Sequence, residues 1–432
     1  MQGVNAASVN ANAHKQNGTW LPIILCWLVY MTAYLGRYSY ASNITSIIRD
    51  FGTSHSDAGM VTTCFFFAYG IGQVLNGILC KHYNKKWMIA GALFVSVTIN
   101  TAVFIGVPFF CFKYLWLVNG MAQSVLWSTL LCILSETLKK EDLKKAVLVM
   151  STTVSIGTLI TYGFSSCMAL VGSYSYSFLF GAAAMLISAL VWLINYKKAF
   201  SSPICKTEDV TENTSKKASY GLWIFIAVFG VLAVANNLIR EGLTTWIPSI
   251  LKENFGLHES LSIILTLILP MLGLFGATCN TLLERRLKSF VSLAGIWYTL
   301  SALCMIVVVV FIDSTLWWVV LVSFGLISLF MHGVNNLITS MLPLYMRERA
   351  NTGLLAGILN GCCYVGSTAS SYGLGAVADH FGWNGVIWLL FIICVIAVAV
   401  SVTMSIVTSR QGRKAKESAC KDETAQISVD SK

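Results

Sequence analysis

Long apolar runs dominate the sequence, and short polar segments separate them. A helix needs about 20 residues to cross the roughly 30 Å of hydrocarbon in a bilayer. Twelve runs reach that length, approximately at residues 20–45, 58–80, 87–109, 112–137, 146–171, 175–196, 221–250, 260–283, 290–312, 315–341, 352–377 and 384–408. The sequence therefore predicts an all-α membrane protein with twelve transmembrane helices.

The overall composition supports this class and excludes others. Hydrophobic residues make up 56% of the chain and charged residues only 11%, which is far from the composition of a soluble domain. The net charge of +10 is spread over short clusters between apolar runs, a pattern typical of membrane topology. We expect a lipid bilayer around the chain and no nucleic-acid partner. The 13 cysteines lack metal-site spacing, so we expect no metal and no cofactor.

The distribution of lysine and arginine predicts the orientation in the membrane. Of the 29 such residues, 24 lie in the two tails and in alternate loops, whereas the remaining loops hold only Arg49, Lys113 and Lys252. Basic residues are enriched on the cytoplasmic side. We therefore expect both termini in the cytoplasm, in a protein of the cell (plasma) membrane that acts as a monomer.

The polar segment in the middle of the chain divides it into two similar halves. It is rich in Ser, Thr and Lys and lacks apolar periodicity, as expected for a flexible linker. The tail after the last apolar run has mixed charge and is expected to be disordered. The predicted organisation is an N-tail at 1–19, a six-helix half at 20–196, the linker at 197–219, a second six-helix half at 220–408 and a C-tail at 409–432.

A lone arginine stands inside an apolar run in each half. Arg37 lies in the first run and Arg240 in the seventh, and each is followed twelve positions later by the first residue of a base–acid pair, at Arg49 and at Lys252. Both offsets between the halves are 203 positions. This spacing predicts a duplicated unit with one buried cation in each copy.

These two arginines need an explanation beyond packing. An arginine at the centre of a spanning helix costs about 2.5 to 3.5 kcal/mol on insertion scales. A structural alternative is that each pairs with an acid or extends to the outer surface. Glu241 is the neighbouring acid, but adjacent residues do not share a helix face, so we do not expect it to pair with Arg240. We expect the arginines to bind an anion.

The arrangement of two six-helix halves resembles the major facilitator superfamily, in which substrate binds between the halves. Residues 77–86 are similar to the loop of that superfamily with the pattern Gly-x-Leu-x-Asp-Arg-x-Gly-Arg-Arg, with Lys81 in place of its Asp. The resemblance implies the major facilitator fold and alternating access, in which a ligand binds between halves that rock around it.

Four further motifs resemble one family of that superfamily, the organophosphate:phosphate antiporters, which includes the glycerol-phosphate and hexose-phosphate exchangers. They are Tyr30-x-x-x-Tyr34-x-x-Arg37, Arg240 with Thr245-Trp246-x-Pro248, Asn119-Gly120-x-x-Gln123-x-x-x-Trp127, and Asp379-His380-Phe381-Gly382-Trp383-Asn384-Gly385. In that family two arginines hold the phosphoryl group and tyrosines lie beside them. The resemblance therefore implies a substrate site made of Arg37, Arg240, Tyr30, Tyr34 and Tyr364.

Some positions depart from the family pattern. Val154 stands where the family has a histidine, Gln73 where characterised exchangers have a lysine, and Asn237 where they have a tyrosine three residues before the second arginine. We include Asn237 in the expected substrate site. The pocket is expected to carry less positive charge and fewer hydrogen-bond donors than in those exchangers.

Several polar or aromatic residues inside the apolar runs have two possible roles. His332, Asn335 and Asn336 fall within one helical turn and could line the cavity, but hydrogen bonds between helices are the more common use of such residues. Trp127 is expected to pack or to anchor the chain at the interface rather than to touch ligand.

The predicted function is secondary transport of a small organic anion, most specifically a phosphorylated metabolite exchanged for phosphate, and not enzymatic catalysis. One alternative is a proton-coupled carrier for a carboxylate or sugar, with Glu241 as the proton acceptor. The other is a non-transporting membrane sensor of the same fold. The tails are too short for a signalling domain, which disfavours the sensor.

Overall fold

The computed structural model describes residues 5–79, 83–200, 220–284, 286–287, 289–346 and 352–430. Within these ranges the chain is helical apart from short turns. The main helices are α1 Asn5–Ser42, α2 His55–Leu79, α3 Lys85–Ile105, α4 Phe109–Thr137, α5 Lys140–Leu170, α6 Ser175–Ala199, α7 Tyr220–Glu253, α8 Glu259–Glu284, α9 Phe290–Phe311, α10 Trp317–Met341, α11 352–381 and α12 383–430.

The described residues contain eleven stretches that are long and apolar enough to cross a membrane. The last of them, Leu355–Val407, has 53 residues, which is roughly 80 Å of helix at 1.5 Å per residue and too long for one crossing. The backbone leaves helical geometry at Gly382, where φ is 66°, a value that glycine adopts without strain. The stretch is therefore two spans, α11 and α12, and the predicted twelve helices are confirmed.

Two predicted segments differ from expectation or lie outside the described residues. Helix α12 continues to Asp430, so the expected disordered tail is wrong: this segment has no proline and several strong helix formers such as Ala, Lys, Gln and Glu. Residues 201–219, which make up most of the expected linker, and Lys81 lie outside the described residues.

Helix ends follow local signals in the sequence. Helix α1 ends at Ser42, and a short helix, Ile44–Phe51, continues it to Gly52, where φ is 60°. The side chain of Asn84 caps α3 by accepting a hydrogen bond from the backbone N–H of Lys86 at 3.0 Å. Such caps satisfy backbone groups that the first turn leaves unpaired.

The two halves, α1–α6 and α7–α12, meet along two equivalent helix pairs. Helix α2 packs against α11, and α5 packs against α8. The first contact is close because a Cβ atom at Gly59 would clash with the carbonyl oxygen of Ser371, and one at Gly375 with that of His55. The glycines allow the halves to touch backbone to backbone.

Polar contacts join the halves at one end of the bundle, which we call the Arg49 face and define by Arg49, His55 and Glu259. Nη1 of Arg49 lies 2.6 Å from Oε2 of Glu259. His55 Nδ1 lies 2.8 Å from Oδ1 of Asp379, and its Nε2 lies 3.0 Å from Oε2 of Glu253. The opposite end, where α6 ends and α7 begins, is called the linker face. The halves are closed against each other on the Arg49 face.

Candidate functional site

A cavity of about 540 Å³ lies between the two halves. Its wall includes Val147 near the start of α5, Ser340 near the end of α10 and Ala356 near the start of α11, all of which lie toward the linker face. The cavity therefore extends from the middle of the bundle toward the linker face. This is the geometry of a transporter that is closed on the Arg49 face.

The structure brings all the residues expected at the substrate site into the wall of this one cavity. They are Tyr30, Tyr34, Arg37, Asn237, Arg240, Glu241 and Tyr364. The first three come from α1, the next three from α7 and the last from α11. The duplicated halves thus place their equivalent helices, α1 and α7, at the same cavity. The binding role of these side chains stays a prediction.

Arg37 is buried in a box of aromatic rings. The central carbon of its guanidinium group lies 4.2 Å from the ring centre of Tyr69, 4.5 Å from that of Phe65 and 5.0 Å from that of Tyr34. Its Nε has no hydrogen-bond partner, and none of the ion pairs among the described residues includes it. The electron-rich ring faces stabilise the cation but do not neutralise its charge, and Arg37 lines the cavity.

A chain of hydrogen bonds continues from this box across the cavity. The hydroxyl of Tyr30 lies 3.4 Å from the hydroxyls of both Tyr34 and Tyr69. Gln73 donates from Nε2 to the Tyr69 hydroxyl at 3.0 Å and accepts through Oε1 from Nδ2 of Asn360 at 3.0 Å. Since Asn360 belongs to α11, this chain connects the aromatic box to the other half.

Arg240 has quite different surroundings. Its Nη2 donates to Oε1 of Glu241 at 2.7 Å and to Oδ1 of Asn237 at 2.9 Å. The expectation that adjacent residues could not pair is wrong, because both side chains are long enough to bend toward each other from neighbouring positions. Oε2 of Glu241 lies 3.5 Å from the hydroxyl of Tyr38 on the other half.

The formal charges in the cavity wall are two arginines and one glutamate, which leaves one net positive charge. Of the two arginines in the described part of the wall, Arg240 pairs with Glu241 and Arg37 has no acidic partner. An incoming anion therefore meets one free cation and one that is already paired.

Some residues of the site were not identified from the sequence. Phe65 and Tyr69 are four residues apart on α2, so they share a helix face. Gln73 lies one turn further along the same face, and a polar residue inside this apolar run is the sequence signal that could have identified the face. Trp127, expected to pack or anchor, lines the cavity with its ring centre 5.0 Å from that of Tyr30.

The polar cluster on α10 divides between the two roles considered for it. Oδ1 of Asn336 accepts from Nδ2 of Asn280 on α8 at 3.3 Å, as expected for a bond between helices. His332 and Asn335 instead line the cavity, so the preference for an interhelical role was wrong for these two.

Two six-helix halves around a central cavity with a buried cation in each define a membrane transporter of the alternating-access type. The sequence model for the Major Facilitator Superfamily matches residues 26–352, and the chain belongs to this superfamily of transporters, which are not enzymes.

Similar proteins agree with the resemblance seen in the motifs. The chain is 22% identical over 413 residues to a glycerol-3-phosphate transporter of Bacillus subtilis (strain 168), covering 85% of this chain and 88% of the relative. It is 21% identical over 423 residues to sugar phosphate exchanger 3 of Bos taurus, covering 83% of each chain. The predicted resemblance to organophosphate antiporters is thereby confirmed.

The fold is similar to a solved structure as well. A bacterial homologue of the human lysosomal transporter Spinster, in an inward-facing and occupied conformation, superposes with a TM-score of 0.72 at 12% identity, covering 89% of this chain and 96% of that one. At this identity the similarity concerns the fold alone.

Proposed function

We propose that the protein is a secondary transporter that carries a phosphorylated metabolite in exchange for inorganic phosphate. The observation that carries the proposal is that Arg37 and Arg240, one from each half, line a single cavity. Guanidinium groups offer paired hydrogen bonds to phosphoryl oxygens and stay charged at any relevant pH. The names of the two similar proteins, a glycerol-3-phosphate transporter and a sugar phosphate exchanger, support a phosphate ester as substrate.

In the proposed mechanism the anion enters the cavity and first meets Arg37, which has no competing acid. It then replaces Glu241 as the partner of Arg240, so that its charge bridges the two halves. The bridged state favours closure of the cavity on the linker face. Opening of the Arg49 face then releases the anion on the other side.

We propose that the linker face is cytoplasmic and that the protein acts in the plasma membrane, with small anionic solutes as its partners. The distribution of basic residues supports this orientation. The test compares two cysteine variants in sealed, right-side-out cells with an impermeant thiol reagent. Thr211→Cys, in the linker, should be labelled only after permeabilisation. Thr315→Cys, in the exposed turn between α9 and α10 on the Arg49 face, should be labelled at once. Labelling of Thr211→Cys above the unmodified chain before permeabilisation would reverse the orientation.

The transport proposal is tested by counterflow in proteoliposomes. Labelled phosphate should accumulate when the vesicles are loaded with unlabelled phosphate or with a phosphate ester, and not when they are loaded with a carboxylate or a neutral sugar. Liposomes without protein give the background. If carboxylates drive counterflow and phosphate compounds do not, the substrate class is wrong.

A further inference from the structure

The cavity wall has a polar patch that the two arginines do not account for. His332 and Asn335 lie on α10 and line the same cavity. They are three residues apart, so they lie on one face of the helix, one turn from each other. We call this pair the α10 patch.

The position and the hydrogen-bonding role of the His332 ring follow from its contacts. Its Nδ1 lies 2.8 Å from the carbonyl oxygen of Ser328. A carbonyl can only accept, so Nδ1 carries the hydrogen, and in the neutral ring Nε2 is an acceptor. Gly273 makes room for the ring, because a Cβ there would lie 2.7 Å from Cε1 and 2.8 Å from Nδ1. Nε2 has no hydrogen-bond partner among the described residues.

Asn335 supplies the complementary groups. Its backbone carbonyl accepts from Oγ1 of Thr339 at 2.8 Å, whereas its side-chain amide makes no hydrogen bond to another described residue. An amide offers both a donor and an acceptor. The α10 patch therefore presents two acceptor atoms and one NH2 donor group to the cavity within one helical turn. This matches neighbouring hydroxyl groups, since each hydroxyl both donates and accepts.

The wall contributed by the first half offers less to such groups. Away from the aromatic box it includes Leu131, Met150 and Val154 beside a few hydroxyl side chains. No histidine from the described residues of the first half lines the cavity, so the imidazole available to a ligand there comes from the second half.

We propose that the α10 patch is a hydroxyl-binding subsite and that it selects phosphate esters of polyols or sugars over esters without hydroxyl groups. This rests on the proposed function, because the phosphoryl group must be held by the arginines for the carbon part to reach the patch. Binding satisfies groups on both sides: the ligand hydroxyls regain the hydrogen bonds they had in water, and the side chains gain partners. An ester without hydroxyls leaves the patch unpaired.

The test uses inhibition of phosphate exchange by two esters of equal charge and similar length, glycerol 3-phosphate and n-propyl phosphate. Wild-type protein in proteoliposomes should be inhibited by glycerol 3-phosphate at a concentration at least about fivefold lower, which is the effect of one or two neutral hydrogen bonds. His332→Phe should lower this ratio about twofold or more, because Asn335 still offers its amide to a hydroxyl, and His332→Gln should restore part of the difference because its amide oxygen can accept. Val322→Ala, at an exposed position on the same helix, is the matched control and should keep the wild-type ratio.

The outcomes separate this inference from the proposed function. If wild-type protein does not exchange phosphate at all, the proposed function fails first. If phosphate is exchanged but both esters inhibit equally, or if His332→Phe keeps the wild-type ratio, the subsite is overturned while phosphate exchange stands. Should His332→Phe not fold, Asn335→Leu provides the second variant, and a ratio reduced from that of the wild type again supports the subsite.

Discussion

Arg37 and Arg240 occupy equivalent positions in the two halves, 203 residues apart, yet they have opposite surroundings. Arg37 lies among three aromatic rings and has an Nε without a partner. Arg240 is held by Glu241 at 2.7 Å and by Asn237 at 2.9 Å. One cation is stabilised without being neutralised, and the other is neutralised before any ligand arrives.

The difference indicates that the arginine of each half has a different role in anion binding. Aromatic faces stabilise a cation without occupying its N–H groups, so Arg37 can attract an anion at no cost in broken bonds. An anion that binds Arg240 must compete with a carboxylate that is already in place. Arg37 is therefore expected to set whether an anion binds, and Arg240 whether the bound anion connects both halves.

The largest expected effect comes from replacing each arginine by lysine. Arg37→Lys should weaken phosphate binding about 30- to 150-fold, since a charge-assisted fork in a desolvated site is worth on the order of 2 to 3 kcal/mol. Arg240→Lys should fall at the lower end of that range, because Arg240 is already paired with Glu241 and Asn237 and has less of its hydrogen-bonding capacity to give to an anion. The measurement is the concentration dependence of phosphate counterflow, with thermal unfolding of each purified variant to separate binding from folding.

Three results would each contradict part of this comparison. Folded lysine variants that transport like wild type would remove the two-arginine site. A loss of transport that only follows a loss of thermal stability would instead make the arginines structural. If Arg240→Lys is the more damaging of the two, the proposed order of events is wrong even though the site stands.

A smaller effect of opposite sign is expected from Glu241→Gln. Removal of the competing carboxylate leaves Arg240 free for the substrate, so phosphate should bind about tenfold more tightly, the equivalent of about 1.4 kcal/mol. Glu136→Gln is a suitable control, since Glu136 pairs with Lys85 within the first half and lies outside the cavity wall. Both variants are compared in the same counterflow assay.

The same variant tests the proton-coupling hypothesis for Glu241. If this carboxylate takes up a proton during transport, Glu241→Gln should abolish accumulation driven by a pH gradient and leave phosphate exchange intact. Unchanged gradient-driven accumulation would remove proton coupling through this residue.

The fold and part of the site could be predicted from the sequence because both depend on strong one-dimensional signals. A run of about 20 apolar residues is stable in a bilayer as a transmembrane helix. An arginine inside such a run is conspicuous because its insertion into the membrane costs free energy. The partners of Arg37 could not be predicted, because Phe65 and Tyr69 come from another helix and aromatic residues are common in every span. Their proximity is a result of how α1 and α2 pack.

The pairing of Arg240 shows a different limit of sequence analysis. The rule that adjacent residues do not face each other concerns the directions of their Cβ atoms. Long flexible side chains such as those of Arg and Glu can still bend toward each other and pair. The division of His332, Asn335 and Asn336 between cavity and interhelical contact likewise depends on the rotation of α10 about its axis. That rotation follows from packing against α8 at Gly273 and Gly276, which no local pattern specifies.

The smallest expected effect concerns the aromatic box and separates its rings from its hydroxyl groups. Tyr69→Leu removes the ring whose centre lies closest to the guanidinium carbon of Arg37, 4.2 Å away, and should weaken phosphate binding about fivefold, since a partly desolvated cation–π contact is worth roughly 1 kcal/mol. Tyr69→Phe keeps the ring and loses the hydroxyl with its bonds to Tyr30 and Gln73, so its effect should be about twofold or less. Both variants are measured by phosphate counterflow. Equal losses in the two variants would mean that the hydroxyl network, rather than the ring, holds Arg37 ready to bind the anion. The difference between the two arginines would then be a difference in hydrogen bonding alone.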